Sequence, residues 1–292
     1  MSEVQKPDDT SWDLVIGGRE KLFRPEISEI WKYRDLIILL VKRDFVAQYK
    51  QTVLGPLWHV LQPLVQTLLY SIFFAGILDV STEGKPRMLY YLSGIVIWNV
   101  FSINLTATAS TFTANAGIFG KVYFPRLVIP LSVLVSNFFK FLIQLVLFLG
   151  FLAWYLIFTD KDIQPNLILL VIPLLLIITS MMSLGIGLIV SSLTTRYRDI
   201  GLFLPFITQV LIYFTPVMLP VSTWGEEWSW VPRWNPMTPI VETFRYGFLG
   251  GTGPQTAIDW TGLLYAAAVA LVLFFAGTIV FKRKEKDFLD TV

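Results

Sequence analysis

Long apolar runs separated by short polar breaks make up most of the chain from residue 57 onward. A helix needs about 20 consecutive apolar residues to cross a hydrocarbon core ~30 Å thick. Six runs meet this requirement and predict transmembrane spans at residues 57–78, 88–108, 127–158, 167–193, 201–221 and 257–281. The pattern therefore predicts an all-α integral membrane protein with six transmembrane helices.

The chain before the first run is polar. Residues 1–26 contain no apolar stretch followed by a small-residue cleavage site, which predicts a cytoplasmic tail and not a signal peptide. Within residues 27–56, apolar side chains recur at every fourth position and basic side chains fall to one side. The apolar set is Ile37, Val41, Phe45 and Tyr49, and the basic set is Lys42, Arg43 and Lys50. This spacing predicts an N-terminal amphipathic helix in the membrane interface.

Composition supports a membrane protein and excludes several kinds of chemistry. Of the 292 residues, 54% are hydrophobic and only 15% are charged, whereas a soluble domain carries about 25% charged residues. The chain has no cysteine and one histidine, His59, and its spans hold no pair of carboxylates, so no metal site and no catalytic residue is predicted. The chain also lacks a GxxxxGK[ST] phosphate loop, so any ATP that drives it must be hydrolysed by another subunit.

Lysine and arginine predict the orientation of the chain. Six spans place both termini on one side of the membrane, and seventeen of the 23 basic residues lie on that side, including those of the tail at 282–292. Five lie on the other side, and Lys140 falls within a span. Basic residues near the ends of spans remain in the cytoplasm, so both termini are predicted to be cytoplasmic.

The segment at residues 222–256 is the longest predicted outer connection. Its prolines break helices into short pieces, and its tryptophans favour the boundary between water and lipid. We therefore predict short re-entrant helices between spans 5 and 6 that form an outer gate at Trp224, Trp228 and Trp234. A structured outer loop without a transport role is the alternative interpretation.

Polar residues inside the spans occur in rows at helical spacing. Gln62 and Gln66 share one face of the first span, and Asn137, Lys140 and Gln144 share one face of the third. Such groups are costly in lipid unless they face protein or water. They can join helices to each other or line a hydrated path, and both interpretations stay open. Lys140 can also extend its ammonium group toward the interface.

Seven motifs lie in a fixed order along the chain. They are YRDL at 33–36, KRDF at 42–45, YKQTVLGPLWHVLQPL at 49–64, KVYFPRLVIPL at 121–131, RYRDI at 196–200, PF and TPVMLP within 205–220, and NPMTPIVETFR at 235–245. In this order, and with six spans, the chain resembles the membrane permease of type-2 ABC exporters that carry lipopolysaccharide O-antigen, teichoic acid or capsular polysaccharide. The resemblance covers about residues 28–281.

The resemblance implies partners and a location. Two copies of such a permease form the pore, and two copies of a separate cytoplasmic subunit hold ATP and Mg²⁺, so this chain itself needs no cofactor. The substrate would be a lipid-linked polysaccharide, the location would be the inner membrane among its lipids, and nucleic acid would have no role. The residues implied at the ATPase interface are Arg34, Lys42, Arg43, Lys121, Arg126, Arg196, Arg198 and Asp199. On the residues alone, the basic loops could equally be topology anchors.

Aromatic side chains supply the candidate pore surface. Sugars are polar but have apolar C–H faces that stack on aromatic rings, so rings could let a polysaccharide slide. The candidate pore-lining residues are Tyr70, Tyr90, Tyr91, Trp98, Phe101 and Lys140. Each aromatic could instead face the protein core or lipid. Alternative functions are a type-2 ABC permease for another lipid or a drug, and a membrane glycosyltransferase of the same pathway.

Overall fold

The computed structural model describes residues 27–119, 124–159, 163–251 and 258–289. These residues form helices joined by turns and short extended segments, with no β-strand among them. The predicted all-α class is therefore confirmed. The helices are α1 (Ile27–Lys32), α2 (Arg34–Tyr49), α3 (Trp58–Ile72), α4 (Arg87–Ala109), α5 (Thr111–Phe119), α6 (Val128–Phe158), α7 (Ile172–Thr194), α8 (Asp199–Leu211), α9 (Trp230–Trp234), α10 (Met237–Leu249) and α11 (Trp260–Leu289).

Five helical segments in the described part of the chain are long and apolar enough to cross a membrane. They are Gly55–Ile77, Arg87–Ala109, Val128–Phe158, Leu167–Thr194 and Trp260–Lys284. The first joins a 3-10 turn, α3 and a π-helical turn, and the fourth joins the 3-10 turn Leu167–Val171 to α7. Each coincides with one of the predicted spans apart from residues at its ends.

The segment predicted as the fifth span is shorter than the others. Helix α8 continues through one 3-10 turn, and together they cover Asp199–Phe214. Thr215 is extended, with φ −113° and ψ 142°, because the residue before a proline is pushed out of the helical region. Pro216 therefore ends the helix before the predicted boundary at residue 221.

The arm that precedes the first span ends earlier than the sequence predicted. The helical spacing suggested one helix through residue 56, whereas α2 ends at Tyr49. Gln51 has a φ of 66° and Gly55 a φ of 50°, so two residues in this stretch of five adopt left-handed conformations that a right-handed helix does not allow. The hydroxyl of Thr52 donates to the Tyr49 carbonyl at 2.9 Å and accepts from the Gly55 amide at 3.1 Å. Residues 50–57 thus form a hydrogen-bonded elbow between the arm and span 1.

Helix α4 lies at the centre of the bundle. Most of its length is buried, and it packs against α3, α6, α7 and α10. Interhelical amide bonds join it to α6, since Asn99 donates to Gln144 at 3.2 Å and Asn137 donates to Asn104 at 2.9 Å. These four polar residues therefore hold α4 and α6 together. Joining helices was one of the two roles that the sequence left open for polar residues within spans.

A second apolar cluster packs the arm against the ends of four other segments. Leu40 of α2 is buried there with Phe112 of α5, Phe124, Val128 of α6 and Phe281 of α11. The Phe112 and Phe281 rings stack with their centroids 4.4 Å apart. This cluster connects the arm to the chain that enters α6.

The segment between α8 and α11 contains short helices at the positions where prolines predicted breaks. Two 3-10 turns, Val221–Thr223 and Glu226–Trp228, precede α9 and α10. Helix α10 is buried along most of its length. Its Arg245 donates to the Tyr90 hydroxyl at 3.0 Å and to the Pro216 carbonyl at 2.9 Å. This buried guanidinium joins α10 to α4 and to the end of the α8 segment.

Candidate functional site

A groove of about 910 Å³ lies between α3, α4 and α8. The end of α2 contributes Gln48 and Tyr49 to its lining, so the groove begins at the elbow. Gln48 and His59 are hydrogen-bonded across the elbow, with their nitrogens 3.1 Å apart. Partial burial raises the pKa of the Tyr49 phenol above its usual value.

Helix α3 presents one polar face to the groove. Gln62, Gln66 and Tyr70 are four residues apart and line it together, because residues at this spacing lie above one another on a helix. The Gln66 side-chain amide donates to the Tyr70 hydroxyl at 2.7 Å. The Tyr70 ring is thereby oriented along the groove wall.

Helices α4 and α8 supply the opposite wall. Trp98 and Ser102 of α4 are four residues apart, and α8 and its 3-10 extension add Thr208, Gln209 and Tyr213. Trp98 is held by Phe101, whose ring centroid is 5.3 Å away. Both rings and amides from α2, α3, α4 and the α8 segment therefore border the same space.

The groove has a mixed, uncharged lining, in which polar groups alternate with aromatic rings and with the aliphatic side chains of Leu61, Val65, Leu69 and Ile212. Its polar groups are amides, hydroxyls and one imidazole, and none of its described lining residues is Asp, Glu, Lys or Arg. No group of three metal-ligating side chains occurs in the described part of the chain. An uncharged surface of amides and aromatic rings can hydrogen-bond hydroxyl groups and contact apolar C–H faces. It suits binding and passage of a neutral, hydroxyl-rich molecule.

The five aromatic pore candidates occupy three different environments. Tyr70 and Trp98 line the groove. Phe101 lies behind Trp98 and is 4% exposed. Tyr90 and Tyr91 are fully buried in the bundle core, where the Arg245 guanidinium lies 3.7 Å from the Tyr90 ring centroid.

Lys140 lies outside the groove lining. It borders a separate cavity of about 200 Å³ between α2, α4 and α6, together with Asp44, Ser136 and Asn137. Gln48 and Tyr49 border both cavities, so the end of the arm separates them.

The residues implied at an ATPase interface differ in exposure. Lys121 lies outside the described residues. Arg126 is buried. The exposed members are Arg34, Lys42, Arg43, Arg196, Arg198 and Asp199. Arg43 binds the Asp44 carboxylate at 2.7 Å and also reaches the Asn115 carbonyl oxygen of α5 at 3.4 Å.

The three candidate gate tryptophans also differ. Trp228 and Trp234 are exposed, whereas Trp224 is half-buried, with an indole nitrogen that has no hydrogen-bond partner among the described residues. The Trp234 carbonyl accepts a hydrogen bond from Tyr265 at 3.0 Å, which joins α9 to α11.

Several groove residues were not among the sequence candidates. Thr208, Gln209 and Tyr213 belong to the α8 segment, and their signal was a polar pair followed by a tyrosine in an otherwise apolar run. Trp58 was also missed, and it lies four residues before Gln62, which the sequence had already placed in a polar row. Their spacing indicated a common face, but it did not indicate which helix that face opposes.

Comparison with known families identifies the chain. A family model described as "ABC-2 type transporter" matches residues 35–249, which is most of the chain. The chain belongs to the ABC-2 type transporter family. The match begins in α2 and ends with α10, so it includes all three groove-forming helices. The family resemblance noted from the ordered motifs is confirmed.

Curated members of the ABC-2 family match nearly the whole chain. The O-antigen export system permease protein RfbA of Klebsiella pneumoniae is 27% identical over 88% of this chain and 94% of its own length. RfbA of Myxococcus xanthus is 26% identical over 91% of this chain and 98% of its own. The polysialic acid transport protein KpsM of Escherichia coli is 24% identical over 86% and 94%.

Proposed function

We propose that the chain is the permease half of an ATP-driven exporter that moves a lipid-linked polysaccharide, an O-antigen, across the inner membrane. The observation that carries this proposal is the groove, whose lining combines aromatic rings with amides and hydroxyls and carries no charged side chain among the described residues. Amides match the hydroxyl groups of a glycan, and rings match its C–H faces. Similarity to RfbA permeases supports the same substrate.

The proposed topology has six spans, with both termini in the cytoplasm. The α8 segment Asp199–Phe214 is the fifth span, and its 16 residues rise about 24 Å. The short helices from Val221 to Leu249 then re-enter the outer leaflet and form the outer gate. The excess of Lys and Arg on the side of the termini supports this orientation.

The proposed pore forms when a second copy closes the groove. Apolar side chains on the groove-forming helices are exposed, including Leu61, Val65 and Leu69 of α3 and Phe206 and Leu211 of α8. In each copy, α2 carries the basic residues Lys42 and Arg43 and ends in the groove. Movement of an ATPase subunit bound to the arm would therefore reach the groove through one helix and the elbow.

Removing two rings from the groove tests the proposed substrate path. We expect the double variant Tyr70→Leu, Tyr213→Leu to reduce surface polysaccharide by about tenfold, since each ring offers a stacking surface that leucine lacks. The assay is quantification of polysaccharide on cells whose chromosomal copy has been replaced by the variant.

The matched control is the double variant Tyr70→Phe, Tyr213→Phe. It keeps both rings and removes both hydroxyls, including the one that accepts from Gln66. Export close to that of the unaltered chain is expected. Equal export by the leucine and phenylalanine variants, at equal protein levels in the membrane, would refute the stacking path.

Charge reversal at Arg198 tests coupling to a separate ATPase. Arg198 is exposed immediately before α8, and a carboxylate there would repel an acidic partner surface. We expect Arg198→Glu to lower the amount of polysaccharide exported per ATP hydrolysed by about tenfold in the reconstituted complex. The chain without its partner should hydrolyse no ATP.

Arg87→Glu serves as the control for coupling. Arg87 is also exposed and also starts a membrane-length helix, but the proposed topology places it on the outer side. Arg87→Glu should leave the amount of polysaccharide exported per ATP hydrolysed unchanged. A normal ratio for Arg198→Glu would assign Arg198 to topology alone, and ATP hydrolysis by the isolated chain would refute the need for a partner.

A further inference from the structure

The cavity beside Lys140 carries polar groups that the proposed transport path does not use. Its volume is about 200 Å³, and it lies between the arm helix α2 and the transmembrane helices α4 and α6. The Ser136 hydroxyl borders it, is buried, and has no hydrogen-bond partner among the described residues. Buried polar groups are normally hydrogen-bonded. An unpartnered hydroxyl on a residue that borders a cavity therefore points to an occupant that can bind it.

The length of α6 places this cavity at the level of lipid headgroups. The helix has 31 residues and rises about 46 Å, which exceeds the ~30 Å hydrocarbon core. The eighteen residues from Phe141 to Phe158 rise about 27 Å and cross most of that core by themselves. Lys140 therefore lies at the boundary of the hydrocarbon region, and the first turns of α6 extend beyond it.

The elbow independently places the cavity at the level of the lipid headgroups. Gln48 borders the cavity and is hydrogen-bonded to His59, which lies at the start of span 1. The cavity is thus as deep as the point where the chain enters the membrane. Phe139 borders it and is 46% exposed, and Val135 nearby on α6 is also exposed. Both can contact acyl chains.

The charges around the cavity are of opposite sign. Lys140 supplies an ammonium group, for which the described residues offer no hydrogen bond and no ion pair within 4.0 Å. Asp44 supplies a carboxylate whose Oδ1 is bound by Arg43, which leaves the second carboxylate oxygen able to accept. A headgroup that carries a phosphate and an ammonium matches this pair, because Lys140 would bind the phosphate and Asp44 would bind the ammonium.

We propose that this cavity binds the phosphoethanolamine headgroup of a membrane phospholipid. Lys140, the Ser136 hydroxyl and the Gln48 amide bind the phosphate, and Asp44 accepts from the ammonium. The acyl chains leave past Phe139 and Val135 into the surrounding bilayer. A lipid bound in this way joins the arm to α6 and fixes the height of the elbow in the membrane.

Lipid retention by the full chain tests this site. The purified chain is equilibrated in micelles with equal amounts of dioleoyl phosphatidylethanolamine, phosphatidylglycerol and phosphatidylcholine, and the bound lipid is measured by native mass spectrometry. We expect about tenfold more phosphatidylethanolamine than either other lipid to be retained. Phosphatidylglycerol lacks the ammonium, and the ammonium of phosphatidylcholine cannot donate hydrogen bonds.

Two substitutions give different expected signatures. Lys140→Gln removes the one cation among the phosphate partners, so retention of all three lipids should fall and the preference for phosphatidylethanolamine should narrow. Asp44→Asn removes the ammonium partner but keeps the phosphate partners, so phosphatidylglycerol should bind as well as phosphatidylethanolamine. Lys42→Gln, an exposed lysine on the same arm, should leave the preference intact. Thermal unfolding of each variant checks that it is folded.

A second arm of the experiment distinguishes the lipid from its free headgroup. Soluble phosphoethanolamine added in excess should displace little lipid, because it lacks the acyl chains that Phe139 and Val135 contact. Equal retention of the three lipids by the unaltered chain would overturn the proposal and assign the cavity to water. An unchanged preference in both Lys140→Gln and Asp44→Asn would overturn it as well.

Discussion

The Arg245→Met variant is expected to lose about 3 kcal/mol of stability, because a buried charged group makes two hydrogen bonds that methionine cannot make. The guanidinium donates to the Tyr90 hydroxyl and to the Pro216 carbonyl. It also lies over the Tyr90 ring, 3.7 Å from the centroid, an arrangement that adds a cation–π attraction. Removing it would leave two buried oxygens with fewer partners.

Loss of the Arg245 guanidinium would affect more than one pair of helical segments. Arg245 connects α10 to α4 and to the segment that follows α8. The short helices between α8 and α11 and the groove wall are therefore held to the central helix by the same side chain. The measurement is the midpoint of thermal unfolding of the purified chain, followed by tryptophan fluorescence.

Arg233→Met is the matched control for Arg245→Met. Arg233 belongs to the same segment between α8 and α11 but is exposed on α9, so its loss should change the midpoint little. Tyr90→Phe removes only the hydroxyl that accepts from Arg245, so its effect should lie between the other two. Equal midpoints for the Arg245 and Arg233 variants would refute the structural role of the buried guanidinium.

Adding one methyl group at Gly185 or Gly277 is expected to destabilise the bundle by about 1–3 kcal/mol or more, because overpacking forces helices apart. Helices α7 and α11 form the most extensive helix pair in the described structure. A Cβ atom at Gly277 would lie 2.9 Å from the Gly185 Cα, and one at Gly185 would lie 2.6 Å from the Phe274 amide nitrogen. Both neighbours are backbone atoms and cannot rotate away.

Gly150→Ala provides the control for Gly185→Ala and Gly277→Ala. Gly150 lies within α6, and a Cβ atom there would meet nothing within 4 Å. Since alanine is the better helix former, this substitution should be neutral or stabilising by up to about 1 kcal/mol. The stability change for Gly150→Ala should therefore differ in sign from those for Gly185→Ala and Gly277→Ala, which distinguishes the effect of helix packing from that of helix propensity. A similar fall in unfolding midpoint for all three variants would contradict the proposed close approach.

The candidate pore residues illustrate what a sequence can predict about a membrane protein. Aromatic content and helical spacing indicated Tyr70, Trp98, Tyr90 and Tyr91 equally. Tyr91 and Trp98 lie seven residues apart on nearly the same face of α4, so their height along the helix separates them: Trp98 borders the groove together with Tyr70 of α3, whereas Tyr90 and Tyr91 are buried in the core. Which neighbours pack against α4 at each level is not a property of the helix itself.

Lys140 is a second residue whose surroundings the sequence does not specify. As one charge within a long apolar run, it could be read as part of a path or as a group reaching toward the interface. The packing of α2 beside α6 brings it to the same cavity as Asp44, which is 96 positions away in the sequence. No periodicity within α6 contains that information.

The sequence by itself determined the all-helical class, the approximate extent of five membrane-length helices and the family. These follow from hydrophobicity over about 20 neighbouring residues and from motifs in order, both of which are properties read along the chain. Tertiary structure alone decided which side chains form the groove, that Arg245 is buried against Tyr90, and that the arm ends at Tyr49 in a hydrogen-bonded elbow. Each of these depends on contacts between segments distant in sequence or on turn geometry, which local hydrophobicity does not specify.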